Sequence, residues 1–118
     1  IKEDKFYIPD DWPINWQDSL KAYTNLGLKM YHDCVKSLIE DHGIDRKRAK
    51  ESARFFRSYN TQITADVMFN WRSFMHFQGL RNKSDAQVEI REIASTMLDQ
   101  VKNIEDNPFE HSIAAFGV

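Results

Sequence analysis

Residues 70–91 read NWRSFMHFQGLRNKSDAQVEIR, and this stretch predicts both a helix and a candidate binding site. Its apolar residues recur at helical spacing, which predicts a helix over about residues 70–80. Arg72 and His76 are four positions apart and therefore share one face of that helix, near whose end Arg81 lies. Arginine keeps its charge and binds anions through two parallel hydrogen bonds, so an anion pocket is one interpretation. A solvated polar face opposite the apolar one fits the pattern equally well.

The ends of the helices in this stretch follow from capping patterns. Asn70 is of a residue type that caps helix N-termini. Ser84, with Gln87 three residues later, has capping-box spacing and predicts the start of a further helix. Apolar residues mark the expected buried sides: Trp71, Phe74, Leu80 and one of Phe77 and Gln78 in the first helix, and Ile90, Ala94, Met97, Val101 and Ile104 in the second.

A long helix is predicted upstream, over about residues 15–42, from one apolar stripe at steps of three and four. Gly43 lies where helices commonly stop, and Asp45 fits the N-cap of a second helix over residues 46–56. The stripe of the long helix comprises Leu20, Tyr23, Gly27, Met30, Cys34 and Leu38, and the inner face of the second helix comprises Ala49, Ala53 and Phe56.

Residues 59–69 break the helical pattern and predict a β-strand. Ile63 and Val67 are β-prone residues at odd positions, which lie on one side of a strand. One strand cannot form a sheet alone, so this strand is expected to complete a sheet elsewhere, in another part of the protein or in another subunit. The predicted fold class is therefore α+β, with about four helices and one strand. Residues 1–14 predict an extended lead-in, and the apolar tail beyond Pro108 is expected to dock on another surface.

Composition and charge exclude several classes of protein. A chain of 118 residues fits one small domain or part of a larger one. The formal net charge of -2 provides no global basic field that would attract nucleic acid or an anionic membrane. No apolar run approaches the roughly 20 residues that span a bilayer. The basic run at residues 46–50 is followed by Glu51 and is interpreted as a solvated helix face.

Isolated reactive residues point to structural roles. The single cysteine, Cys34, excludes an internal disulfide and fits a reducing cytoplasm. It falls on the stripe of the long helix and is interpreted as structural, not as a nucleophile. His32, His42 and His111 lack metal-ligand spacing, so no metal site is predicted. Arg54 precedes two phenylalanines and is interpreted as an arginine whose stem is half buried and whose charge reaches the surface.

Several motifs follow one another in a specific order and spacing. They are Ala53-Arg54, Asn70, Arg72-Ser73, His76-Phe77, Leu80-Arg81 and Ala86-Gln87-x-Glu89-Ile90, preceded by KFYIPDDW at residues 5–12. In this order and spacing the chain resembles the C-terminal half of the flavin-dependent thymidylate synthases. The signature of that family, R-H-R-x-x-S-x-N-x-x-S-x-R, belongs to the N-terminal half and is absent from the sequence.

The resemblance implies a fold, an activity and an assembly. Residues 1–118 would be the C-terminal part of a single domain of that family, working with an N-terminal part elsewhere and incomplete as an enzyme on their own. The implied reaction is synthesis of dTMP from dUMP, with FAD as cofactor, methylenetetrahydrofolate as carbon donor and NADPH as reductant. The implied assembly is a homotetramer with shared active sites in the cytoplasm (the host cytoplasm for a viral member).

The resemblance also assigns roles to individual residues. Arg54 and Arg81 match positions that contact dUMP, and Arg81 is the implied catalytic residue, stabilising negative charge on the pyrimidine. The implied FAD-binding residues are Asn70, Arg72, His76 and Asp85, the last in place of the usual histidine. The alternative is a non-catalytic helical interaction module of the same fold, in which these residues only line a polar face.

Overall fold

A computed structural model describes residues 5–118 and divides the chain into two compact units. The first unit ends at Ala65 and the second runs from Asp66 to Val118. The described residues are mostly helical, as predicted. The first unit contains α1 (Ile14–Glu40), α2 (Arg46–Ala53) and a short 3-10 helix (Arg54–Phe56), and the second contains α3 (Trp71–Arg81), α4 (Val88–Lys102) and α5 (Glu110–Phe116).

The long helix α1 buries a face that is rotated from the predicted stripe. Thr24 and Tyr31 are buried, whereas Tyr23 is 65% exposed and Met30 is 40% exposed, so those two predicted inner positions are wrong. The predicted positions Leu20, Gly27, Cys34 and Leu38 are half-buried. Both α2 and the 3-10 helix pack against α1. The Phe56 carbonyl lies close to Gly27, and the Arg57 guanidinium lies 5.5 Å from the centre of the Tyr31 ring. Thr24, Gly27 and Tyr31 share one side of the helix, so this segment covers the side that is buried.

The close approach between α1 and the 3-10 helix depends on Gly27. A Cβ atom at this position would stand 2.6 Å from the Phe56 carbonyl oxygen, a distance that Cβ atoms essentially never show. At this position α1 therefore has room only for glycine, whose side chain is a hydrogen atom. At its end, Gly43 has a positive φ of 64°, and the Ile44 N–H donates to the Leu38 carbonyl, which closes the helix as predicted.

The second helix begins where its N-cap was predicted. The Asp45 carboxylate accepts hydrogen bonds from the Lys47 and Arg48 amides at 3.0 and 3.3 Å. Ala49 and Ala53 are buried, as predicted for the inner face. Phe56 is exposed, against the prediction, because the α-helix ends at Ala53 and the following 3-10 turn changes the direction of its side chains.

The predicted strand over residues 59–69 is not formed within the part of the chain that the structure describes. Residues 62–70 form no regular secondary structure, and residue 61 makes one isolated antiparallel bridge with Phe6. Around that bridge the Tyr7 amide donates to the Asn60 carbonyl and the Gln62 amide to the Lys5 carbonyl, both at 2.9 Å. The β-prone residues beyond this bridge have no neighbouring strand, so they form no ladder. Their pairing with a sheet elsewhere stays a prediction.

The core of the second unit lies between α3 and α4. Phe74, Met75 and Leu98 form it, and Val118 packs against it. Of the apolar tail, Ile113 is buried and Phe116 is 55% exposed, and docking of the tail on another subunit stays a prediction. The tail also forms α5, an additional helix that the sequence did not predict. Ahead of α5, Phe109 stacks on Trp71 with the ring centroids 4.1 Å apart.

The fourth predicted helix begins later than expected. Ser84 does not cap it: α4 starts at Val88, and Gln87 stands at the N-cap without a capping side-chain bond. The Gln87 side chain instead donates to the Glu89 carboxylate at 2.8 Å, so the predicted capping box is wrong. Of the predicted seam, Ala94 is fully buried, whereas Ile104 lies beyond the helix and is exposed.

Candidate functional site

The helix α3 carries most of the candidate site, and Asn70 sets where it begins. The Asn70 Oδ1 accepts a hydrogen bond from the Ser73 amide at 2.8 Å, which confirms the predicted N-cap. Capping uses only the oxygen of this side chain. The amide nitrogen makes no hydrogen bond with a described residue, so its two N–H donors are unused there.

Arg72 and His76 lie one turn apart on the exposed side of α3, as predicted. Neither side chain makes an ion pair or a hydrogen bond with any of residues 5–118. A guanidinium and an imidazole at this spacing offer several N–H donors to one ligand. The arrangement suits an anionic or carbonyl-rich group lying along this face.

Arg81, the last residue of α3, does not share that face. It follows Arg72 by nine positions, about 2.5 turns at 3.6 residues per turn, so the two side chains leave opposite sides of the helix. Arg81 is exposed and makes no ion pair within the part of the chain that is described. The structure therefore brings Arg72 and His76 together but places Arg81 on another side of α3.

Asp85 lies in the connection between α3 and α4. Its carboxylate is 3.4 Å from the Lys83 ammonium, and both side chains are largely exposed. Such an exposed pair contributes little to stability, but it offsets the local negative charge. The Arg91 guanidinium donates to the Ser84 carbonyl at 3.1 Å and ties this connection to α4.

Arg54 belongs to the first unit, where it opens the 3-10 helix that follows α2. Its side chain is exposed, in agreement with the interpretation that its charge reaches the surface. It makes no ion pair with a residue that the structure describes. The guanidinium is thus available to a ligand or to another protein surface.

One polar residue near the site was not singled out by its sequence. Gln78 is 1% exposed, and its side chain joins α3 to the Ala94 carbonyl of α4. The sequence left Phe77 and Gln78 as alternatives for the inner face, and the structure places Gln78 there. The signal was its position one turn after Phe74, on the apolar side of the helix. Leu80, by contrast, is 44% exposed, so its predicted burial is wrong.

The described residues form neither a metal site nor a membrane-spanning helix. Between residues 5 and 118, no group of three or more histidine, cysteine, aspartate or glutamate side chains is placed to hold a metal ion. Among the helices described, none combines the length and the apolar character needed to cross a membrane. Cys34 is half-buried on α1, and the basic side chains at residues 46–48 are exposed.

A family model described as thymidylate synthase complementing protein (Thy1) matches residues 1–105. The chain belongs to the Thy1 family. The match covers most of the sequence, including every candidate residue described above. It confirms the resemblance on which the assignment of those residues rests.

Relatives named flavin-dependent thymidylate synthase are similar to parts of this Thy1 chain. The Halobacterium salinarum protein is 36% identical over 84 residues, which are 70% of this chain and 34% of the relative. The Nitratidesulfovibrio vulgaris protein is 34% identical over 82 residues, 70% of this chain and 33% of the relative. The Thermococcus kodakarensis protein is 40% identical over 65 residues, 54% of this chain and 26% of the relative. The chain thus spans about a third of the length of the relatives it matches. No solved structure matches it.

Proposed function

We propose that this chain is the C-terminal part of a flavin-dependent thymidylate synthase, which makes dTMP from dUMP with methylenetetrahydrofolate as carbon donor and NADPH as reductant. The observation that carries the proposal is the pair Arg72 and His76, exposed one turn apart and without a partner among the described residues, in a Thy1-family chain. Charged groups in this arrangement are available to a ligand. The family supplies the identity of that ligand.

The donor set on α3 fits FAD. Asn70 and His76 can donate to carbonyl oxygens, and the Arg72 guanidinium suits the diphosphate. Asp85 can only accept hydrogen bonds when ionised, so it fits a hydroxyl or N–H group of the flavin and not the diphosphate. When bound, FAD supplies the redox chemistry of the reaction. The residues of this chain hold and orient it.

Arg54 and Arg81 are the proposed dUMP contacts. The proposed role of Arg81 is electrostatic: its fixed positive charge stabilises negative charge that develops on the pyrimidine, which makes C5 nucleophilic. A guanidinium suits this role because it remains charged at every physiological pH and donates two parallel hydrogen bonds. Cys34 has no role in this chemistry.

A larger assembly is part of the proposal. The chain spans about a third of its relatives, so the remaining parts of both sites come from an N-terminal part or from other subunits of a homotetramer. Two observations support such partners. Arg72 and Arg81 lie on opposite sides of α3, so they serve different ligands. Phe55 and Tyr59 of the first unit are almost fully exposed, and aromatic side chains are enriched where proteins contact one another.

A non-catalytic module of the same fold is the second candidate. The observation that favours it is Asp85, which stands in place of the family's usual histidine and pairs with Lys83. Visible absorption of the natively purified protein separates the two candidates, with intact mass measured on the same sample. We expect a flavin spectrum that shifts when dUMP is added. A colourless protein that takes up no added FAD would favour the non-catalytic module.

Arg72→Ala is expected to lose bound flavin before it loses stability. The side chain is exposed and has no described partner, so its removal should change the free energy of unfolding by less than about 0.5 kcal/mol. Flavin occupancy is measured from visible absorption per mole of protein. Arg48→Ala, which removes an exposed arginine from α2, is the matched control and should keep its flavin. Full occupancy in the Arg72 variant would contradict the assignment of this face to FAD.

Two substitutions at Asn70 separate helix capping from flavin binding. Asn70→Ala removes both functions and should cost about 1 kcal/mol of stability together with flavin occupancy. Asn70→Asp keeps the oxygen that accepts from the Ser73 amide but removes the N–H donor, so it should keep stability and still bind flavin more weakly. Urea unfolding and flavin titration measure the two effects. Wild-type flavin affinity in Asn70→Asp would remove Asn70 from the FAD site.

A further inference from the structure

Gln78 is the largest fully buried side chain among the described residues, and both ends of its amide are bonded. Its Nε2 donates to the Ala94 carbonyl of α4 at 2.9 Å, and its Oε1 accepts from the Asn82 Nδ2 at 3.0 Å. A buried amide is costly unless it is hydrogen-bonded, and here each half has a partner. The side chain therefore acts as a bridge between α3 and α4.

The bridge holds the end of α3 on which Arg81 lies. Asn82, the C-cap residue, is bonded to Gln78 twice: its backbone N–H donates to the Gln78 carbonyl at 2.9 Å, and its side chain donates to the Gln78 amide. Arg81 lies between these two residues. Its backbone is thus fixed against α4, while its side chain is exposed. Ala94 is fully buried, and there α3 and α4 lie close enough for the Gln78 side chain to reach the Ala94 carbonyl.

We propose that Gln78 is a positioning residue for Arg81. The proposal rests on the proposed function, in which Arg81 binds dUMP. Gln78 does not contact the nucleotide; it sets the place from which the Arg81 guanidinium reaches it. A bidentate contact tolerates displacements of only about 0.5 Å, so a looser end of α3 weakens it. An apolar side chain of similar size would fill the same space without the two bonds.

Gln78→Leu tests the proposal, with Gln100→Leu as the matched control on the exposed side of α4. The measurements use the natively purified assembly that contains this chain. We expect the Kd for dUMP from calorimetry to rise between about 10- and 100-fold in Gln78→Leu. Flavin occupancy should be unchanged, since Arg72 and His76 lie on another side of α3. Gln100→Leu should bind dUMP like the wild type.

Asn82→Ala is a second variant. Asn82 is only half-buried, so the fold should tolerate its substitution better than that of the fully buried Gln78. It removes one of the two side-chain bonds of Gln78 and should raise the Kd for dUMP by a smaller factor. Amide hydrogen exchange without ligand supplies a readout that does not depend on dUMP. The amides of Arg81 and Asn82 should exchange faster in Gln78→Leu than in the wild type, while the amides of the first unit should not change.

The outcomes separate this proposal from the proposed function. A wild-type assembly that binds no dUMP would overturn the proposed function. A wild type that binds dUMP, with a folded Gln78→Leu variant that binds equally well and shows unchanged exchange at Arg81, would overturn the positioning role alone. Weaker dUMP binding with faster exchange in the same variant would support it.

Discussion

Replacing Gly27 by alanine is expected to lower the free energy of unfolding by about 2 kcal/mol or more. The new Cβ would stand 2.6 Å from the Phe56 carbonyl oxygen, and that oxygen belongs to the backbone of the 3-10 helix. A flexible side chain could move away at little cost, but here α1 or the 3-10 helix must shift. This cost outweighs the gain of about 1 kcal/mol that alanine usually gives over glycine inside a helix.

Gly79→Ala is the matched control for this prediction. Gly79 also lies inside a helix, but a Cβ there would meet nothing within 4 Å. We therefore expect this variant to gain up to about 1 kcal/mol, so the two alanines should change stability in opposite directions. Urea unfolding of both variants measures the difference. Equal stabilisation by both would mean that α1 and the 3-10 helix do not approach closely at Gly27.

The features that sequence predicted correctly are local ones. Asp45 and Asn70 cap their helices through amides two or three residues further along the chain. Gly43 has a positive φ just beyond the end of α1, and the next amide, that of Ile44, donates to the Leu38 carbonyl six residues earlier. Residue type and spacing determine such contacts, with no information needed from distant segments. The same holds for Arg72 and His76, whose shared face follows from their separation alone.

The features that sequence did not predict depend on what packs beside each element. The helix α1 carries apolar residues on more than one side, and only the position of α2 and the 3-10 helix selects the side of Thr24 and Tyr31 over that of Tyr23. The β-prone residues among 62–69 would need a neighbouring strand to form a ladder, and β-propensity alone does not supply that strand. Non-local contacts decide both outcomes.

In the candidate site, too, the local features could be predicted and the non-local ones could not. Its residue types and the helix that carries them could be predicted, whereas the separation of Arg81 from Arg72 follows from the length of α3 up to its last residue. Gln78 was ambiguous because a glutamine beside apolar residues can be buried or exposed. Its burial depends on the Ala94 carbonyl of α4, sixteen residues further along the chain. Only the packed unit brings these two groups together.

Arg81→Ala is expected to reduce dTMP formation by about a thousandfold, or to below detection, and to weaken dUMP binding. The side chain is exposed and makes no ion pair with the described residues, so its loss should leave the fold intact. Without the guanidinium, negative charge on the pyrimidine loses its proposed stabilising partner. Turnover and the Kd for dUMP are measured on the assembly that contains this chain.

Two further variants make this result specific to Arg81. Arg81→Lys keeps the positive charge but loses the planar fork, so it should recover part of the activity and little of the dUMP affinity. Arg72→Ala should instead lose flavin, and adding excess FAD should restore part of its turnover, whereas FAD should not rescue Arg81→Ala. The opposite positions of the two arginines on α3 predict this separation. Wild-type dTMP formation by Arg81→Ala would refute the catalytic assignment, and rescue of both variants by FAD would mean that the two arginines serve the same ligand.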